Sequence, residues 1–448
     1  MKVFFENSMR KTGLVLTVRN KLPRRWSLLI KTLIFLSLSA HLLATRHPLV
    51  MVYKDHLWFP AFSSLISSNR VEQIADENGQ LESIVFEHID WKALQSSFVI
   101  WAPIPWSANI PDSENRNFKS PFERQLDVNA ETKGTTLSLF FRHHLGTDAL
   151  GNDVFAGLIH GLGNSMFIAL CSTLIALFIG LFLGLTAGYW GDHLMQTTLG
   201  NVIAGTVGIV LGFFWAFQMR INILREAAKE GFIEVSIPLL WSVLIFILTL
   251  GIFLVLGKYL SKLKWLDKHV HLPYDGAVQR FSEVFNSLPK LLLILTLSAA
   301  FDAKNMWLLI LILGSLQWTG IARLARIETM KLRKMPFVEA ALLQGYSTPR
   351  ILLVHLLPSI IGVLLVEATF VFAGSVLIES SLSFLGLGLP DTSYTLGSIL
   401  KNGRNHPTAW WMTVFPGLLI FMLTYTANRL GKWLQSNFTH AAETYQSP

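Results

Sequence analysis

The sequence predicts an all-α polytopic membrane protein with a sizeable extracytoplasmic insertion, and three observations predict it. Of 448 residues, 52% are apolar and only 15% are charged, which lies outside the range of soluble globular domains. Several apolar stretches reach about 18 residues or more, the length a helix needs to cross ~30 Å of hydrocarbon. The Lys and Arg residues cluster between those stretches and form no continuous basic face, so the net charge of +8 reads as a topology signal and not as a nucleic-acid surface. The single cysteine, Cys171, lies in an apolar run, so no intrachain disulfide or Cys-based metal site is expected.

In chain order, Lys2, Arg10, Lys11, Arg19, Lys21, Arg24 and Arg25 against the lone Glu6 place a tail at 1–25 in the cytoplasm. A first span follows within 26–53, from about 26 to 43. A cleaved secretion signal is the alternative, but Lys31, the long leader and Arg46-His47-Pro48 do not form a cleavage pattern. Residues 54–162 contain no run of spanning length and read as the insertion. Its Trp58, Trp91, Trp101 and Trp106 suit either headgroup anchoring or a small core.

A second span covers 163–190, and its Gly180, Gly184 and Gly188 line one face. A bare face lets another helix backbone approach closely, although glycine is also tolerated generally in membrane helices. Residues 195–270 read as an extra transmembrane hairpin and basic loop. Its apolar runs at 202–217 and 237–256 flank Arg225, Glu226 and Lys229, and Lys258, Lys262, Lys264 and Lys268 follow. Within 275–435, a span runs from near Phe281 to near Phe301 and should be kinked by Pro289. Another covers 306–325 and ends in Arg323, Arg326, Lys331, Arg333 and Lys334. Further spans are expected at 355–377 and 410–430, separated by an interrupted outer segment through Pro390. Arg429 and Lys432 then return the tail at 436–448 to the cytoplasm. The total is eight spans, an even number that suits two cytoplasmic termini.

The most informative segment is the loop at 330–358, which contains Pro336-Phe-Val-Glu-Ala-Ala-Leu-Leu-Gln-Gly-Tyr-Ser-Thr-Pro-Arg-Ile-Leu-Leu-Val-His-Leu-Leu-Pro358. It reads as two short helices. Pro336 suits a first turn, Glu339 near that end is favoured by the helix dipole, and Gly345 suits the left-handed position after the last turn. Thr348-Pro349 then suits the cap and first residue of the second helix. Ala340 and Ala341 keep the first helix thin enough to lie in a partner's groove. Glu339, Ala340, Ala341, Gly345, Leu357 and Pro358 resemble the EAA loop of ABC importer permeases, which implies a coupling helix that docks into an ATP-binding subunit. An ordinary amphipathic loop is the alternative.

Two more segments narrow the resemblance. His144-Leu-Gly-Thr-Asp-Ala-Leu-Gly-Asn-Asp-Val154 is similar, at Gly146, Thr147, Asp148, Gly151 and Asp153, to the HPLGTDxxGRDV segment before the second span of the C-type permease subunit of dipeptide and oligopeptide importers. Glu379-Ser-Ser-Leu-Ser-Phe-Leu-Gly-Leu-Gly-Leu-Pro390 is similar to that subunit's ESxLSFLGLG segment before its last span, at Glu379, Ser383, Phe384, Gly386 and Gly388. The three cover about 140–190 and 275–435 in the family's order. The insertion with Trp101-Ala-Pro-Ile-Pro-Trp-Ser107 resembles the oligopeptide and microcin C-type branch.

The resemblance implies the type I ABC importer permease bundle, a multi-pass protein of the bacterial inner membrane that moves peptides. It implies a second permease subunit as heterodimer partner, two ATP-binding subunits that carry ATP and Mg, and an extracytoplasmic solute-binding protein. No cofactor is expected on this chain. Asn152 departs from the family's Arg and puts an ion pair there in doubt, and the hairpin at 195–270 replaces a short loop.

Glu367 lies in the middle of an apolar span, where an ionised carboxylate costs on the order of 2–3 kcal/mol or more, so it should face protein or water. With Gln317, Trp318 and Thr319 it forms the candidate pathway, and helix packing or a paired structural carboxyl is the alternative. No phosphate-binding loop, nucleophile elbow or HExxH is present; the nearest approach, Gly251 to Lys258, has the wrong spacing. His143 and His144 are adjacent and diverge, so they suit a structural role better than a metal. Two other functions share these features in part. The same architecture could import nickel chelates or another non-peptide solute, and a proton-coupled carrier would use Glu367 but would need no coupling loop. An intramembrane enzyme would need paired catalytic residues, which the spans lack.

Overall fold

The computed structural model describes residues 23–53, 56–66, 71–75, 81–85, 91, 97–126, 136–192, 196–230, 232–263, 265–300, 305–390 and 393–444. The basic tail at 1–22, the expected span end at Phe301, Lys264 and part of the insertion lie outside the described residues.

The chain opens with α1 (Arg24–Leu38) and α2 (Ala40–Leu43). The insertion follows, with β1 (Val50–Tyr53), β2 (His56–Trp58), α3 (Pro60–Ile66), β3 (Val71–Ala75), β4 (Leu81–Val85) and β5 (Phe98–Ile100). Next come α4 (Val154–Trp190), β6 (Gln196–Thr198), α5 (Leu199–Phe213), α6 (Ile221–Glu230), α7 (Phe232–Leu260) and β7 (His269–His271). The rest is helical: α8 (Tyr274–Ser287), α9 (Lys290–Ala300), α10 (Met306–Leu316), α11 (Trp318–Arg333), α12 (Pro336–Leu343), α13 (Thr348–Phe384), α14 (Leu396–Gly403) and α15 (Trp411–Thr444). The strands form three small antiparallel sheets, β2-β1-β5, β3-β4 and β6-β7.

Two compact units contain these elements. One comprises Ile168–Ser375 and Ala427–Pro448, and the other comprises Pro23–Phe167 and Val376–Thr426.

In the first unit, the apolar core joins α4, α11, α12 and α13 through Leu185, Trp318, Ile321, Val338, Ile351 and Leu364. The glycine face of α4 decides this packing. A Cβ on Gly180 would lie 2.7 Å from the Trp318 carbonyl, and one on Gly188 would lie 2.6 Å from the Arg326 carbonyl. Gly184 is pressed against Ala322 and Ala325 in the same way. The close backbone approach expected of that stripe is therefore made, with α11 as the partner. In the stretch read as an extra hairpin, α5 continues as a π-helical turn through Phe214–Gln218 and packs against α7. Gly208 meets Phe253, and Gly212 meets Phe246.

In the second unit, Ala40, Ala44, Ile104, Trp106, Ala156 and Ile159 form the core. Trp91 and Trp106 are buried and Trp58 and Trp101 half-buried, so the insertion's tryptophans serve its packing.

Several helices depart from the expected spans. Against eight spans, four helices among the described residues are long and apolar enough to cross a membrane, or five if α10 and α11, which meet at 41°, count as one. The four are Val154–Trp190, Leu199–Gln218, Glu234–Leu260 and Thr348–Phe384. The run at 26–43 divides at Ser39 into α1 and α2. Pro289 does not kink a continuous helix but separates α8 from α9. The residue before a proline is pushed out of the helical region, and Leu288 is extended at φ −87°, ψ 136°. The helix α15 occupies the span expected at 410–430 and continues to Thr444.

Candidate coupling loop and passage

The helix α12 starts with Pro336 in its first turn, where the missing N–H costs nothing, and carries Glu339 in the same turn. It ends by a Schellman arrangement. Gly345 has φ +74°, the Gly345 N–H donates to the Leu342 carbonyl at 2.9 Å, and the Tyr346 N–H donates to the Ala341 carbonyl at 3.1 Å. Val338 and Ala341, one turn apart, pack into the core. The opposite face is apolar and exposed, with Phe337, Leu342 and Leu343, the last 90% exposed. Glu339 and Ala340 are exposed beside them.

The second helix departs from expectation in its start and its length. Its cap is Ser347, one residue before Thr348, with no side-chain capping bond. It is also no separate short helix: α13 runs without a break from Thr348 to Phe384. A π-helical turn over Ile351–Leu356 absorbs the irregularity, and the Leu357 N–H reaches the Leu352 carbonyl. Pro358 has no N–H and crowds the carbonyl four residues back, so a widened turn just before it is the local remedy. Tyr346 stacks on His355 at 5.7 Å, and the Arg350 guanidinium lies 4.6 Å from the Tyr346 ring centre.

The two flanking motifs are both devices of chain geometry in the second unit. Gly146 and Gly151 have φ +77° and +96°. The Asp148 carboxylate accepts the Leu150 and Asn152 N–H groups, each at 2.9 Å, and the Asn152 side-chain amide at 2.9 Å. Asn152 thus donates a hydrogen bond to the Asp148 carboxylate where an ion pair was in doubt. Asp153 caps α4 by accepting the Ala156 N–H at 2.6 Å.

Asp153 also meets His143 Nδ1 at 2.8 Å, while Asp112 meets His143 Nε2 at 3.2 Å and Trp106 stacks on the ring at 4.2 Å. Burial works to lower the His143 pKa, but the hydrogen bonds to Asp112 and Asp153 and then their charges outweigh it, and the net shift is upward. Burial works to raise the Asp112 pKa, but bonds to His143 and Asn115 and the imidazolium charge bring it down. The acids sit on opposite ring edges, so the trio is a clamp and not a metal cage. His144 is exposed.

In the last motif, Glu379 is fully buried and held by hydroxyls: Ser165 at 2.8 Å, Ser383 at 2.8 Å and Ser380 at 3.4 Å. Ser165 also accepts the Leu396 N–H at 3.3 Å, which ties the start of α14 to α4 and α13. Gly386, at φ +84°, ends α13 in a second Schellman arrangement, with the Leu387 N–H on the Leu382 carbonyl at 3.0 Å. Gly388 sits so close to Ser383 that no Cβ fits, and the Arg404 guanidinium lies 5.6 Å from the Phe384 ring centre. Trp411, at the start of α15, donates its indole N–H to the Thr147 carbonyl of the first motif at 3.2 Å.

The break read at Gln317, Trp318 and Thr319 is the 41° junction of α10 and α11. Its residues are packed among helices. Trp318 stacks on Phe281 at 5.7 Å, Thr319 donates to the Asn286 side-chain oxygen at 3.0 Å, and Gln317 donates to Ser375 Oγ at 2.9 Å. Glu367 is half-buried and faces α11. A Cβ on Gly320 would lie 2.6 Å from its Oε1. Gly320 is the third residue of α11, so the carboxylate sits at that helix's positive end, which offsets part of its burial cost.

Sequence reasoning missed Ser165, Ser375, Gly320 and Asp112. Each lies far along the chain from its partner, and none stands in a pattern of its own.

Residues 265–440 match the family described as the binding-protein-dependent transport system inner membrane component. Over that stretch the chain is similar to this permease family. The oligopeptide transport system permease protein OppC of Haemophilus influenzae is 32% identical over 162 residues, 36% of this chain and 52% of that protein. A peptide transport system permease of Brucella suis is 36% identical over 163 residues, 36% of this chain and 55% of that protein. The chain thus spans about half the length of these relatives. The inner membrane ABC transporter permease protein YejE of Escherichia coli K12 is 25% identical over 415 residues, 92% of each chain. Four helices among the described residues have the length and apolarity to cross a membrane, which suits a multi-pass membrane protein.

Proposed function

We propose that this chain is the membrane-spanning permease subunit of an ATP-driven importer for peptides, and that α12 couples it to a separate ATPase. The observation that carries the proposal is the outer face of α12. Phe337, Leu342 and Leu343 are exposed on a helix whose other face is anchored by Val338 and Ala341. Exposed apolar groups on a braced helix in a polar loop mark a docking surface. The peptide substrate is supported by the relatives, which include the oligopeptide transport system permease OppC.

In this reading a second permease subunit completes the passage, two ATP-binding subunits hold ATP and Mg, and a solute-binding protein delivers peptide from outside. The chain itself hydrolyses nothing. Gln317, Ser375 and Glu367 form the polar seam between α10, α11 and α13 that a passage would use, while Trp318 and Thr319 hold the break in place. The termini and the loop at 330–358 face the cytoplasm, and the insertion faces outward.

The test is co-purification of an ATPase and peptide-stimulated ATP hydrolysis by the reconstituted complex. Glu339→Lys puts a cation at the positive end of α12 and on its docking face. It should abolish uptake and stimulated hydrolysis while membrane insertion is unchanged. Wild-type uptake and hydrolysis in that variant would overturn the coupling role.

A further inference from the structure

The last helix carries an exposed apolar stripe that does not stop where the helix does. Val414, Leu418 and Phe421 are exposed on α15, and Trp410 immediately precedes it at the same spacing of three to four residues. The opposite side, with Trp411, Met412, Ile420 and Leu423, is buried. A helix of an inner-membrane protein with one packed face and one exposed apolar face presents the second to acyl chains. Beyond Trp410 the stripe passes onto the insertion, where Phe122 stacks on Trp410 at 6.5 Å and 22° and is itself 82% exposed.

Phe122 is held in that position. Arg142 donates to the Pro121 carbonyl at 2.9 Å and to the Glu123 carbonyl at 3.0 Å, bracing the turn from both sides. Just before it, Asn117 and Phe118 have φ +63° and +57°, a conformation that a bulky residue such as Phe rarely adopts. Three bonds maintain it: Asn117 N–H to the Ala149 carbonyl at 3.1 Å, Phe118 N–H to the Asp148 carbonyl at 3.1 Å, and Lys119 N–H to Thr147 Oγ1 at 3.0 Å. The strained backbone turns the Phe118 ring onto His406, 4.2 Å away in the loop before Trp410. Arg124 and Arg404 are exposed in the same two segments.

We infer that Phe122 and Trp410 are a membrane-seating surface, which lowers the edge of the insertion into the headgroup layer of the outer leaflet. Continuity with the stripe of α15 selects lipid as the occupant. Tryptophan, phenylalanine and exposed arginine together suit the boundary where acyl chains meet phosphate. The inference is independent of α12 and of what the importer carries.

The test places a nitroxide at Phe122→Cys, Leu418→Cys or Ser113→Cys, each with Cys171→Ser, in the assembled importer in nanodiscs containing phosphatidylglycerol. Collision with oxygen and with a water-soluble nickel chelate is then measured. Position 113 should report water and position 418 hydrocarbon. Position 122 should lie between them, with oxygen favoured over nickel severalfold more than at 113. A nickel accessibility at 122 equal to that at 113 would overturn the proposal. So would shielding from both reagents at 122 and 418, which would assign the stripe to another subunit.

Discussion

Gly345 is opposed to substitution by backbone conformation alone, because its φ is +74° and a Cβ there would meet nothing within 4 Å. Gly345→Val should therefore cost on the order of 1 kcal/mol and tilt α12. Uptake should fall severalfold or more with insertion retained, and Gly345→Asn, whose side chain tolerates the left-handed region, should restore most of it. That position was legible in the sequence because a C-terminal cap is local. The His143 clamp was not, since Asp112 stands 31 residues before its partner in a segment without periodicity. Its pH dependence follows from the shifts. His143 is raised above its ordinary 6.5, so its contribution is complete below that value and is lost as pH rises through the higher folded value. Asp112 is lowered from 3.8, so its contribution is present above that value and is lost as pH falls through the lower one. His47 acts in the opposite sense: burial and then the Arg46 charge hold its pKa down to about 4, so it stays neutral when folded and stability is lost as pH falls from its ordinary 6.5 toward that value. Thermal unfolding of the insertion followed by hydrogen exchange should show greatest protection near the ordinary histidine value of 6.5, with a decline on the acid side from His47 and one on the alkaline side from His143. His143→Gln should remove the alkaline decline.

Among the elements, the pairing of α4 with α11 rests on shape. At Gly184 a side chain would strike the Ala322 backbone and the Ala325 methyl, both on a neighbouring helix. Gly184→Leu should overpack the seam, with a cost of about 1–3 kcal/mol or more. Gly251, on α7, has nothing within 4 Å of its missing Cβ and supplies the control. Thermal unfolding in detergent should show a clear loss for Gly184→Leu and little change for Gly251→Leu. The stripe was readable because three glycines at a spacing of four share one face, but the sequence alone could not separate a packing seam from general glycine tolerance or name the partner. The fifth expected span was misread for a reason of the same kind. Pro289 alone suggests a kink, but its effect depends on the preceding residue, and nothing local says that the helical continuation around Leu288 is too weak to hold it. The π-helical turn before Pro358 shows the other outcome, in which α13 widens and continues. Proline marks an irregularity in sequence, and the surrounding packing decides whether it bends or breaks the helix.

At the scale of the whole molecule, the apolar runs and motif order made the fold class and the resemblance to permeases legible, because both depend on composition and local capping. The span count was less legible. Apolar length does not reveal whether neighbouring helices bridge a break such as that at Gln317. Direction across the membrane rests on charge clusters, and it is separately testable because the structure removes a common ambiguity. Ser113 in the insertion and Ser347 after α12 are both exposed, so neither is shielded from a reagent by the chain's own packing. With Cys171→Ser removing the native thiol, a membrane-impermeant maleimide added to intact cells from which the outer barrier has been stripped should modify Ser113→Cys. It should leave Ser347→Cys untouched until the membrane is opened. The opposite pattern would put α12 on the outside, where no ATPase could reach Phe337, Leu342 and Leu343. Labelling of both before opening would mean that the loop after α12 is reached through the passage itself. Adding an ATPase partner to inverted vesicles should then protect Ser347→Cys without changing Ser113→Cys, because α12 and the residue that caps α13 lie on one continuous loop.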